Sequence, residues 1–445
     1  MEKRLDALKE QIKKFSQKFL QSSKDKEIYI VSHFDTDGIT SAAIMLKTLR
    51  KLDKRFSVRI LKNLEKEFLR ALPKDKLIIF LDLASGCLDF FADSELDEVF
   101  IIDHHEIIQE IPKNICIINP EINGREKISS SGLTYLFCRE LVKDSKEFAK
   151  LAILGMIGDL LEKEIDKLNN EIIFDGEILR KRGLLVYPST RPLNRALEYS
   201  SHPYLPEITG NVKGVLELLR ETGLSSANGK FKSIIELNEE EMEKLITGIM
   251  LRNPKAKHSE IIGDIFLIKF FNKLEDAREL SAMINACSRL GESETALKFC
   301  LEIPKSKKRV EEMHARYKQH LISGLNYVYE APKIEGKGFL IINAQDKIKD
   351  TMIGTIASIL SNSSLYEDGT AIVTMAYYDD KIKISARNVG KCGKNAREML
   401  NSVVCRIGGE VGGHEHAAGA MIKKEKENEF LDLLKKQLEI EVVKI

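Results

Sequence analysis

Short apolar runs alternate with amphipathic segments along the first part of the chain. After a charged amphipathic stretch over residues 1–27, the run IYIVS at 28–32 ends in polar residues, as a buried strand does. Small and apolar residues then recur at helical spacing over 39–52. Four more apolar runs follow, around Val58 and over 77–83, 99–103 and 115–119, with helical segments between them. This is the βαβ rhythm of a parallel sheet, and strands apolar throughout imply that both faces are covered. In such sheets ligands sit beyond the carboxyl ends of the strands. Asp35, Asp82 and Asp103 all fall there, so three carboxylates are expected along one edge.

Further on, the hydroxyls of SSSG at 129–132 can cap a helix over LTYLFCREL, and a second helix, FAKLAILGMIGDLLE, carries Asp159. Its glycines at 155 and 158 would allow close approach to the sheet. Residues 165–329 read as largely helical, with a proline-bearing surface stretch at 187–206. After a long helix over 305–329, strand patterns resume in GFLIINA, AIVTMAYY, KIKISAR and HAAGAMI, before a last helix over 425–438. The expected fold class is α/β: a parallel-sheet domain over 1–164, a mainly helical middle region with a connecting helix over 165–330, and a smaller α/β domain over 331–445.

Composition narrows the function classes. A chain of 445 residues with 43% hydrophobic and 31% charged residues exceeds one ordinary domain and is not mainly disordered. No apolar stretch reaches the roughly 18 residues of a spanning helix, and the charged start does not resemble a signal peptide, so a cytoplasmic protein without a membrane partner is expected. Seven cysteines without a C-x-x-C pair read as buried small hydrophobes in a reducing compartment. With 69 basic and 68 acidic side chains, an anionic partner must be held by a local patch or by metal ions.

SHFDTDG places His33, Asp35 and Asp37 at alternate positions just past a strand, where an extended turn points them the same way. A plain Asp-x-Asp-Gly turn with Asx hydrogen bonds is the competing account. Asp82 ends an apolar strand, where a desolvated carboxylate needs a metal or a helix to cap. VFIIDHHE brings Asp103, His104 and His105 to the same edge, and adjacent imidazoles after a carboxylate are rarely needed for packing. Oxygen and nitrogen ligands without thiolate favour Mn²⁺ or Mg²⁺ over a structural zinc. Six ligands are too many for one open ion. Two ions about 3.5–4 Å apart sharing a carboxylate are the arrangement that hydrolyses phosphodiesters.

These residues resemble the DHH phosphoesterase superfamily, named for the triplet that stands here as Asp103, His104 and His105. SHFDTDG, FLDLASG, IIDHHE and GMIGD look like its first four motifs in order, and GGHEHAAG with the preceding SARN resembles its DHH-associated C-terminal domain. DARELSAMINACSRLG is similar to a segment of the RecJ-like branch, which contains single-strand exonucleases and archaeal relatives. The resemblance implies that His33, Asp35 and Asp82 hold one ion, and Asp37, Asp82, His104 and Asp159 the other. His105 would contact the scissile phosphate and Asp103 would orient the histidines. In some branches the first histidine stands four residues before the first aspartate; here the interval is two, so His33 is either a ligand or a close neighbour of the ion.

In the C-terminal part, Lys381, Lys383, Arg387, Lys391, Lys394, Arg397 and Arg406 face only one acid, Glu398, a stripe suited to a phosphate backbone. Arg387 and His414 are the expected phosphate contacts, with Gly412 and Gly413 exposing backbone amides. The expected function is two-metal hydrolysis of single-stranded DNA or RNA to mononucleotides by a RecJ-like exonuclease. A nanoRNase acting on short oligonucleotides and a replisome scaffold that binds GINS proteins are the alternatives. The middle region is the expected dock for such a replisome partner or for an RNA-processing protein.

Overall fold

Strand residues that are apolar on both faces need a cover on each side, and the chain supplies it. The computed structural model describes residues 2–92, 94–107, 109–123, 126–200, 203, 205, 207–253, 258–363, 365–390 and 392–439. Strands β1 (Ile28–His33), β2 (Phe56–Leu61), β3 (Leu77–Leu81), β4 (Val99–Ile102) and β5 (Ile115–Ile118) form one parallel sheet in the order β2-β1-β3-β4-β5. Alternate residues serve the two faces. Leu77, Ile79 and Leu81 join one core with Phe100 and Ile102, whereas Ile78 and Phe80 join another with Val99, Leu88 and Phe91. The first face is covered by α1 (Glu2–Ser22), α2 (Thr36–Lys51), α3 (Ser130–Leu141) and α4 (Ala149–Gly158). Phe19 of α1 locks this layer, its ring lying 5.3 Å from Phe100 and 5.5 Å from Phe137 in edge contacts. The strand order reverses between β1 and β3, and an open parallel sheet binds ligands beside such a reversal.

The middle region contains the expected helices, among them α5 (Val212–Glu221) and α6 (Glu239–Arg252). It also contains a sheet that the pattern did not predict: β6 (Leu179–Leu184), β7 (Ile262–Phe270) and β8 (Lys273–Asp276), antiparallel throughout. A short apolar run such as that in β7 cannot be told from a buried helix by periodicity. Its Phe266, Ile268 and Phe270 enter the same core as the first sheet, with Leu280 and Ile284 of α7 (Ala277–Arg289). The stretch at 187–206 is not simply a surface wrap. A short helix, Leu193–Glu198, buries Leu193, Ala196 and Leu197, and the Ser189 amide donates to Asp276 at 2.9 Å.

The chain divides into two units, the first reaching residue 314 and the second starting at residue 315, within the long helix α8 (Pro304–Glu330), with residues 205 and 253 also grouped in the second. The second unit carries a six-stranded sheet in the order β13-β14-β12-β11-β10-β9. Its strands are β9 (Ile334–Gly336), β10 (Phe339–Asn343), β11 (Ala371–Tyr378), β12 (Lys381–Asn388), β13 (Glu410–Gly413) and β14 (Ala417–Lys423). Ile382, Ile384 and Ala386 of β12 face α10 (Ala396–Ile407) and α11 (Glu427–Glu439) in one core. The alternate residues of β12, including Ser385 and Arg387, lie on the side of α9 (Asp350–Ser361), whose Ser358 accepts from Arg387. All seven cysteines are free, and Cys116, Cys138, Cys287 and Cys300 are buried. No helix among the described residues is long and apolar enough to cross a membrane.

Candidate metal centre

The first motif does not form an extended turn. Asp35 is the N-cap of α2, accepting from the Gly38 amide at 3.0 Å, and Asp37 already lies in the first helical turn. The Asx hydrogen bond and the candidate ligand are therefore the same side chain. Because helix follows strand at once, the two carboxylates serve different neighbours. His33 Nδ1 lies 3.0 Å from Asp35 Oδ2 and 3.3 Å from Asp82 Oδ2. Asp37 turns toward the start of α3, where the amides of Ser130 and Ser131 donate to its two oxygens at 2.6 and 2.9 Å.

Asp82 follows β3 with φ +57°, and Ala84 has φ +98°, both left-handed and disfavoured for side-chain-bearing residues. His104 Nε2 lies 3.6 Å from Asp82 Oδ1 and 3.4 Å from Asp159 Oδ2. Asp159 is not within a helix: α4 stops at Gly158, Asp159 caps it, and Leu160 turns left-handed at φ +59°. The glycines of α4 approach neighbouring helices, not the strands. A Cβ at Gly155 would lie 2.0 Å from Ser131 Oγ and 2.3 Å from Asp37 Oδ1, and one at Gly158 would lie 2.8 Å from Thr36 Cβ. Asp103 is engaged by its own loop and by the loop after β3, accepting from the His104 amide at 2.8 Å, His105 Nδ1 at 2.7 Å and the Ser85 amide at 2.9 Å.

Three overlapping groups result among the described residues: His33 with Asp35 and Asp82, Asp37 with His104 and Asp159, and Asp82 with His104 and His105. His105 reaches the edge of this set, its Nδ1 3.8 Å from Asp82 Oδ1. Asp82 presents Oδ2 to the first group and Oδ1 to the second.

The charge balance is unfavourable for protein groups alone. Burial, then repulsion from Asp35 and Asp37, pushes the Asp82 carboxyl well above its ordinary range. Burial and repulsion from Asp37 and Asp82 do the same to Asp159. Burial also opposes ionisation of Asp35 and Asp103, but the neighbouring His33 and His105 outweigh it and hold both carboxyls below the usual range. His105 is raised: burial disfavours its charge, and the hydrogen bond to Asp103 overcomes that. His104 is lowered by burial.

Asp82 Oδ1 and Asp159 Oδ2 are buried without hydrogen-bond partners. Buried carboxylate oxygens of this kind are costly unless protonated or bound to a cation. The donor set of carboxylates and imidazoles, with separations near the roughly 3 Å expected between adjacent ligands of an ion with ~2.1 Å bonds, fits a divalent metal.

The expected substrate residues are in the second unit. Arg387 donates to Ser358 and Ser385 hydroxyls and to the Ala386 and Ala418 carbonyls, at 2.7–3.3 Å. Arg387 pairs with Ala417, Ser385 with Gly419 and Gly412 with Gly419, while His414 exchanges backbone hydrogen bonds with Ala417. This register puts Arg387, Ser385, Gly412 and His414 on one face. Gly413 has φ +117°, and a Cβ there would lie 2.4 Å from the Ala417 carbonyl oxygen. Lys391 of the basic stripe lies outside the described residues.

Four residues that support the centre went unnoticed as such in the sequence. Ser130 and Ser131 read as helix caps, but the acceptor of their amides, Asp37, is 93 residues away from Ser130. Arg289, at the end of α7, lies with its guanidinium 5.4 Å from the Phe34 ring centroid, and that ring meets His33 edge-on at 5.0 Å. Asn119 ends an apolar run as Asp82 and Asp103 do, and the same positional reasoning would have found it.

Residues 27–156 match the model of the DHH family, N-terminal domain; residues 336–439 match the DHHA1 domain and residues 187–260 the DHH-CID domain. An uncharacterized protein of Methanocaldococcus jannaschii, MJ0831, is 30% identical over 424 residues, 91% of each chain. Among solved structures, exonuclease RecJ bound to manganese superposes with a TM-score of 0.60 at 17% identity, covering 98% of this chain and 95% of its own. CDC45 from Entamoeba histolytica reaches a TM-score of 0.69 at 12% identity, covering 96% and 99%.

Proposed function

The chain belongs to the DHH family of phosphoesterases and has a RecJ-like fold, and from that premise we propose that it is a two-metal exonuclease releasing mononucleotides from single-stranded DNA or RNA. The observation that carries this reading is the Asp82 carboxylate, which turns one oxygen to each ligand group while Oδ1 lacks a hydrogen-bond partner. When bound, a pair of Mn²⁺ ions, or Mg²⁺ in their place, supplies an activated water and charge neutralisation at the phosphate. That RecJ neighbours are bound to Mn²⁺ or to Mg²⁺ supports a divalent metal.

In this reading His33, Asp35 and Asp82 hold one ion, and Asp37, Asp82, His104 and Asp159 hold the other. The helix-terminal amides of α3 orient Asp37. Asp103 takes the Nδ1 proton of His105 in a hydrogen bond, leaving Nε2 to meet the phosphate and stabilise charge developing there. Residues 1–164 form the catalytic module, 165–330 the middle and connecting segment, and 331–445 the substrate-binding module. In the last, Arg387 and His414 bind phosphates, with Gly412 and Gly413 supplying close backbone approach.

Product analysis on end-labelled single strands of DNA and RNA with Mn²⁺ tests this reading. Mononucleotides released progressively from one end are the expected outcome, and no hydrolysis of any strand with metal bound would reject it. A strong preference for dinucleotides would instead indicate a nanoRNase. The fold likeness to CDC45 favours a second role, docking of a replisome partner on the middle region. Partner capture that persists in Asp82→Ala would separate that role from catalysis.

A further inference from the structure

The fifth strand contributes no candidate ligand, yet its end reaches the centre. Asn119 follows β5 and is fully buried. Its Nδ2 donates to the His105 carbonyl oxygen at 2.8 Å and to Ser85 Oγ at 3.0 Å, and its Oδ1 accepts from the Glu121 amide at 2.9 Å. These partners fix the orientation of the amide, because reversing it would set donor against donor and acceptor against acceptor.

The two groups it holds belong to different loops. Ser85 follows the turn in which Asp82 and Ala84 adopt left-handed backbone, a conformation that persists only when its surroundings enforce it. His105 belongs to the loop after β4. The strand ends thus form a relay: Asp103, after β4, accepts from the Ser85 amide, and Asn119, after β5, ties the Ser85 hydroxyl to the His105 backbone. Asp103 fixes the His105 ring at Nδ1 and Asn119 fixes its main chain, so ring and backbone are held from two adjacent strands.

We propose that Asn119 is a positioning residue, whose side-chain amide sets the placement of His105 by anchoring its loop to Ser85 of the neighbouring loop. Its kinetic consequence rests on the phosphodiesterase reading above; the placement itself does not. A buried asparagine that only satisfied nearby backbone would lower stability without acting through His105.

The test compares Asn119→Ala and the isosteric Asn119→Asp, which keeps the volume but removes both donors, in the full chain with Mn²⁺. Each should lower kcat about 10- to 100-fold, the usual effect of losing a group that orients a functional side chain, with KM and Mn²⁺ stoichiometry retained. Adding Asn119→Ala to His105→Ala should cause no further loss, whereas independent, multiplying losses would overturn the proposal. A second measurement does not need turnover. In histidine-labelled protein, the His105 ring N–H resonance, assigned by its absence in His105→Ala, should be present in the parent protein and shifted or lost to exchange in both Asn119 variants. An unchanged resonance overturns the proposal. If the parent protein hydrolyses nothing while the resonance still changes, the phosphodiesterase reading fails and the positioning role stands.

Discussion

The two sheet edges that carry the candidate chemistry pose opposite charge problems. At the first, Asp35, Asp37, Asp82, Asp103 and Asp159 converge on three imidazoles, and two carboxylate oxygens are buried without hydrogen-bond partners. At the second, Arg387 is held by hydroxyls and carbonyls on a sheet face that also carries Gly412 and His414. The first edge suits cations and the second suits anions. A buried excess of one sign is tolerable only when a ligand of the other sign completes it. The proposed nuclease activity would draw on both, the first for metals and the second for the phosphate chain.

The sharpest way to break the comparison is to remove the group shared by both halves of the first edge. Asp82→Ala should abolish hydrolysis, a loss on the order of 1000-fold or more, and chelation of the parent protein should match it. Turnover within tenfold of the parent would dismiss the assigned centre.

Gly155→Ala tests the edge without replacing a ligand. The added methyl would meet Ser131 Oγ and Asp37 Oδ1 at 2.0 and 2.3 Å. It should cost about 1–3 kcal/mol of stability from overpacking and weaken Mn²⁺ binding about 10- to 100-fold. Denaturant titration and calorimetry with Mn²⁺ read the two effects separately.

Arg387→Ala should behave differently from either. It should raise KM about tenfold, leave kcat within twofold, and reduce the slope of log affinity against log salt by about one. A loss confined to kcat would move Arg387 from phosphate binding to the chemical step.

The smallest effect is a pH dependence of opposite sign with and without metal. The Asp82 and Asp159 carboxyls are raised in the folded protein. A raised group stabilises the fold below its unfolded value, about 4 for a carboxyl, and this contribution is lost as pH climbs through the folded value. Metal-free protein should therefore lose Tm through these two groups as pH increases above about 5. Asp35 and Asp103, lowered in the folded state, contribute above the unfolded range and lose that only in more acidic solution. Mn²⁺ binding must release the protons of Asp82 and Asp159, so its stabilising shift should grow with pH. Thermal melts from pH 5 to 8 with Mn²⁺ or with chelator measure both slopes, and parallel slopes would argue against these residues as ligands.

Legibility in the sequence followed the range of the interactions. The strands of the first sheet were readable because each is a local apolar run, and Asp82 and Asp103 stood out as polar residues closing such runs. The sheet through β6, β7 and β8 was not, since β6 and β7 are separated by most of the middle region and β6 carries charges at exposed positions. Asp37 was readable as a candidate ligand, but the amides that hold it were not, because Ser130 and Ser131 are neighbours of Asp37 only after α2 and α3 pack. Phe34 and Arg289 lie 255 positions apart and meet only in the fold.

Amino-acid type and local spacing determined which groups are available: carboxylates and imidazoles at strand ends, a basic stripe, and glycines where side chains would intrude. Those properties depend on a few consecutive residues, and a linear pattern records them. Packing decided the rest. It split Asp35 and Asp37 between two groups, aimed the two oxygens of Asp82 apart, ended α4 at Gly158 and brought Asn119 under the His105 loop. Such distances depend on how helices and strands close on one another, and residues far apart in the chain have no local signal to report it.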